Sequence, residues 1–118
     1  MKEIIQLQKE FFRSGKTLNL EFRRRSLLKL KDQMVRYYSE IIEAFKKDFN
    51  KCEFDVVTTE IFMVNQELNY MLKNLKRLAK PKRVGTGILN FKSRGYILKE
   101  PYGVTLIVSP WNYPLHLS

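Results

Sequence analysis

With 118 residues, 44% of them hydrophobic and 13% aromatic, the chain has apolar material for one modest core, so length does not exclude a small independent domain. A formal charge of +10, from 22 Lys and Arg against 12 Asp and Glu, raises nucleic acid or an anionic membrane surface as partners. A single cysteine, Cys52, excludes an intramolecular disulfide and fits a reducing compartment, and no apolar run approaches the ~20 residues that span a bilayer.

Met1-Lys2-Glu3-Ile4-Ile5 has an early acid and no long apolar core, which speaks against a secretory or transit signal. Ile4, Ile5, Leu7, Phe11 and Phe12 predict a short amphipathic helix that closes near Ser14-Gly15, glycine being the usual residue just past a helix end. Thr17 or Asn19 can cap the next helix, with Glu21 near the positive end of its dipole. Leu20, Leu27, Leu28, Leu30, Met34, Val35 and Tyr38 keep roughly helical period, and Ser39 with Glu40 predicts a bend before Ile41, Ile42, Ala44 and Phe45. That helix should close near Asn50. From about Phe54, the residues Ile61, Val64, Leu68, Met71, Leu72, Leu75 and Leu78 draw one stripe along a long helix that Pro81 terminates. Met63 and Met71 read as core filler. The cationic clusters Arg23-Arg24-Arg25, Lys46-Lys47 and Lys73 to Arg83 are interleaved with these apolar positions, as solvated faces of amphipathic helices are.

Gly85-Thr86-Gly87 opens a connection, Ile88-Leu89-Asn90-Phe91 reads as extended, Ser93-Arg94-Gly95 as a turn and Tyr96 to Lys99 as a strand. Gly85-x-Gly87 does not complete G-x-G-x-x-G, because Asn90 holds the third position, so a phosphate cradle is unsupported. After Gly103, Val104 to Val108 has the composition of a strand buried on both faces. Ser109-Pro110 stops it, and Asn112 followed by Pro114 predicts a helix start. The turn Ser109 to Asn112 then lies beyond the carboxyl end of a strand, where open α/β sheets bind ligands.

Glu100-Pro101-Tyr102-Gly103-Val104 followed by Pro110-Trp111-Asn112-Tyr113-Pro114 resembles the aldehyde dehydrogenase superfamily, in which E-P-x-G-V leads through a strand to P-W-N-[YF]-P at this spacing. Phe11 to Thr17 and Asp48-Phe49-Asn50-Lys51 are similar to the class 3 and fatty aldehyde dehydrogenase branch. The resemblance covers essentially the whole chain but only the first part of the family's length, which implies a fragment. It implies an α/β fold of antiparallel helices (residues 1–83), an extended β arm used in subunit contacts (84–103), and the first strand and turn of a Rossmann-like cofactor domain (104–118). It also implies oxidation of a small-molecule aldehyde with NAD or NADP in a cytoplasmic homodimer or tetramer, with no nucleic-acid partner. A C-terminal membrane tail, present in some such proteins, would lie in missing sequence.

For Asn112 two readings stand side by side: a helix N-cap satisfying a backbone N–H, or, as the resemblance implies, an amide that stabilises the oxyanion formed when a thiolate attacks an aldehyde. Val108, Ser109, Pro110 and Trp111 are implied to line the dinucleotide site, with turn packing as the plain alternative. Tyr113 lines the aldehyde channel or simply packs. Glu100 reads as structural. The lone cysteine Cys52 and the single histidine His116 do not form a nucleophile and base; both read as packing residues, and together they cannot supply a metal site. The catalytic cysteine and glutamate of the family fall after Ser118, so the isolated chain is expected to be inactive. The competing reading is a non-enzymatic basic helical module that binds nucleic acid or anionic surfaces.

Overall fold

The computed structural model describes residues 2–118. Helix α1 (Lys2–Arg13) ends where glycine was expected, with Gly15 at φ 73° and its N–H on the Phe12 carbonyl at 3.1 Å. A short 3₁₀ turn, Lys16–Leu18, leads to α2 (Leu20–Arg36). Asn19 is the cap: its Oδ1 accepts from the Glu21 and Phe22 N–H groups at 2.8 and 3.0 Å, whereas the Thr17 hydroxyl is buried without a partner among the described residues.

The bend expected at Ser39 falls two residues earlier in the chain. Tyr37, at φ −98° and ψ 18°, separates α2 from α3 (Tyr38–Phe49), and Ser39 lies inside α3. The earlier bend turns Met34 of α2 and Phe45 of α3 into one core. Asn50, at φ 52°, closes α3 in the left-handed region that asparagine tolerates. Cys52 follows it and is exposed, so the expectation that it packs as a small hydrophobe does not hold.

The single long helix expected from Phe54 is three pieces in line: α4 (Glu53–Val56), a wide π turn (Val57–Ile61) and α5 (Phe62–Leu78). The Thr58 and Thr59 hydroxyls donate to the Phe54 and Asp55 carbonyls at 2.8 and 2.7 Å. Such back-bonding competes with the backbone ladder and loosens a helix locally. Helix α2 packs along α5, with Lys31 Nζ donating to Asn69 Oδ1 at 2.7 Å. Met34, Phe45, Val56, Ile61 and Leu68 form the core, flanked by Leu27, Ile41, Ile42, Val64 and Leu115.

Beyond Pro81 the chain makes one two-stranded antiparallel ribbon, β1 (Lys82–Val84) with β2 (Gly95–Ile97), Arg83 opposite Tyr96. Two sequence expectations are corrected. Ile88–Asn90 is a 3₁₀ turn and not extended, held by the Thr86 and Ser93 hydroxyls, which both donate to the Asn90 carbonyl. Val104 to Val108 joins no ladder among the described residues, and Leu106 and Val108 are 89% and 81% exposed. A strand exists only through its neighbours' N–H and C=O groups, and none of the described residues supplies them here. Val104 to Val108 is therefore not a strand among the described residues.

Candidate active site

The P-W-N-Y-P turn is held against the helical layer by contacts from sequence-distant residues. The Leu117 N–H donates to the Tyr113 carbonyl at 3.1 Å and closes one isolated turn over Pro114 to Leu117; the helix start expected there is not formed among the described residues. The N–H groups of Leu115 and His116 have no acceptor within the turn. Both donate to Glu60 Oε2, at 3.2 and 2.9 Å, across 55 and 56 residues of sequence.

Glu60 has no solvent exposure. Its other oxygen, Oε1, accepts from Lys51 Nζ at 3.0 Å in the single ion pair among the described residues. Burying a carboxylate is tolerated only when its lone pairs are filled, and here one cation and two backbone N–H groups of the turn fill them. Lys51 Nζ also sits 5.0 Å from the Tyr113 ring centroid and 5.5 Å from that of Phe45. Trp111 meets Phe49 of α3 edge to face at 6.2 Å. Leu115 packs against the core, and the half-buried His116 presents its backbone N–H to Glu60.

Asn112 therefore stands between two anchored aromatic residues. It is exposed, and its side chain makes no hydrogen bond among the described residues. The capping role weighed for it in the sequence is taken by Glu60, which accepts the Leu115 N–H. Val108, Pro110 and Trp111 are exposed, Ser109 is half-buried and Tyr113 is 38% exposed. The structure thus brings Pro110 to Tyr113 onto one exposed turn, while Val108 and Ser109 lie on the uncovered segment leading into it.

Sequence reading missed Glu60 and Lys51. A signal was present: Val56, Glu60, Val64 and Leu68 recur at four-residue spacing, so an acid occupies a position on an otherwise apolar helical face. No group of three or more His, Cys, Asp or Glu side chains suited to a metal ion occurs among the described residues, nor does any helix long and apolar enough to cross a membrane.

A helical layer, a short β ribbon and an exposed asparagine turn docked on a buried carboxylate define the class of chain against which comparison is meaningful. The model of the aldehyde dehydrogenase family matches residues 1–118. The chain is 38% identical over 109 residues to the 4,4'-diaponeurosporen-aldehyde dehydrogenase of Staphylococcus aureus, covering 92% of this chain and 24% of that protein. It is 35% identical over 116 residues to the mouse aldehyde dehydrogenase family 3 member B3, covering 98% and 24%. A solved structure of the substrate-bound state of Staphylococcus aureus AldH superposes with a TM-score of 0.92 at 36% identity, covering 99% of this chain and 26% of that one. The chain belongs to the aldehyde dehydrogenase family. It spans about a quarter of the length of the relatives it matches.

Proposed function

We propose that this chain is the leading segment of an enzyme that oxidises an aldehyde to a carboxylic acid with NAD or NADP, and that Asn112 stabilises the oxyanion. The observation that carries this reading is the uncommitted amide of Asn112: Pro114 has no N–H, and Glu60 takes the Leu115 N–H that an asparagine cap would otherwise engage, leaving the amide free to donate outward.

Attack by a cysteine thiolate turns the aldehyde oxygen into an alkoxide. A neutral N–H donor lowers the energy of that charge and does not compete as a nucleophile. Bound nicotinamide supplies a hydride acceptor. Exposed Val108, Pro110 and Trp111 suit contact with a flat ring, and they carry no cation that would grip a diphosphate. Water then releases the acid from the thioester, with the cysteine and the general base contributed from beyond this segment. Tyr113 is assigned to the aldehyde channel, and the β ribbon to contacts in a homodimer or tetramer.

The test is kinetic, in a whole protein that carries this segment. Asn112→Ala is expected to lower kcat by about 10² to 10³, with Asn112→Asp at least as harmful, because a carboxylate repels the oxyanion. Retention of kcat in both variants would remove Asn112 from the reaction. The 118-residue chain alone is expected to show no turnover with either cofactor.

A further inference from the structure

We propose that Glu60 is a positioning residue for Asn112, an inference that rests on the reading of Asn112 given above. Glu60 is wholly buried, and its three hydrogen-bond donors all bear on the side of the turn after Asn112: the Leu115 and His116 N–H groups, and Lys51 Nζ, itself over the Tyr113 ring. Asn112 makes no side-chain hydrogen bond of its own among the described residues, so its direction is set by its neighbours. Trp111 rests on Phe49 and Tyr113 on Lys51, and Glu60 fixes the helical turn that continues from them. The π turn contains Glu60. Misplacing a catalytic donor by about 1 Å costs on the order of 10²-fold in rate, which makes the clamp part of catalysis without touching substrate.

The clamp is read by amide hydrogen exchange in a whole protein that carries this segment. Glu60→Gln keeps the shape and one acceptor but removes the charge. The Leu115 and His116 amides are expected to lose protection by about tenfold or more, while amides inside α5, such as Leu72 and Leu75, change by less than about twofold. Equal loss of protection in α5, unchanged protection at Leu115 and His116, or loss of the helical circular dichroism signal would each overturn the proposal, because Glu60 would then serve the fold at large or not hold the turn.

The second readout is kinetic, in the same protein. Glu60→Gln is expected to lower kcat about 10- to 100-fold with the aldehyde KM nearly unchanged, and to add little on top of Asn112→Ala, as for residues that act as a unit. Full kcat despite deprotected amides overturns the positioning role. If the unmutated protein oxidises no aldehyde, the proposed function fails instead, and the exchange experiment still decides whether Glu60 holds the turn.

Discussion

Gly103 stands at φ 102°, with the Phe12 ring 3.5 Å from where a Cβ would sit. That distance is ordinary contact, so the demand for glycine comes from the backbone and not from space. Gly103→Ala is expected to cost about 1–3 kcal/mol, seen as a lower urea midpoint with an unchanged slope. Lys51 is a second sensitive position. Lys51→Met leaves one oxygen of a buried carboxylate unpaired, and about 1–3 kcal/mol of destabilisation is expected. This is less than the roughly 3–5 of a fully buried pair, because the Lys51 side chain retains 19% exposure and Glu60 keeps two N–H donors. A chemical denaturation series on the two variants checks both values. At this scale the turn that carries Asn112 was readable as a contiguous motif. The freedom of Asn112 from capping was not, because Glu60 lies more than fifty residues away.

The element whose detail matters most is the junction of α4 and α5. The apolar stripe forecasts a helix from Phe54 to Leu78, and that forecast holds apart from the π turn Val57–Ile61. Periodicity cannot register one extra residue in one turn, because the side chains on either side keep helical spacing. Deleting Thr58 should restore a regular helix, in which Val56 and Glu60 are three residues apart, about 300° round the axis, and no longer stand directly in line. Glu60 would be turned relative to α4 and lose its register with Lys51. The expected outcome is a helical chain whose Leu115 and His116 amides exchange faster with solvent deuterium. Unchanged exchange at both amides would show that the wide turn does not set the docking.

Across the whole molecule, apolar exposure dominates over charge as the feature needing a partner. Ile88, Leu89 and Phe91 of the ribbon loop are 89%, 94% and 75% exposed, and the Val104 to Val108 segment is uncovered. Water is a poor neighbour for surfaces of that kind. The chain on its own is expected to bind a hydrophobic dye and to elute above monomer size in multi-angle light scattering. Leu106→Lys together with Val108→Lys should reduce both signals without loss of helix. The surplus of cations gives a separate outcome: if binding to duplex DNA were tight and persisted at physiological salt, the basic-module reading would gain over the enzymatic one.

The sequence by itself determined the helices, most of their ends, and the family, because capping, glycine and apolar spacing are local properties and P-W-N-Y-P is a contiguous motif. Asn19, Gly15 and Asn50 each act on bonds within a few residues of themselves. Tertiary structure alone decided two matters. It left Val104 to Val108 without a ladder, because pairing belongs to a strand's neighbours and not to its composition. It also gave the Leu115 and His116 N–H groups to Glu60, because a buried carboxylate takes whatever donors the fold brings within about 3 Å, wherever in the chain they lie.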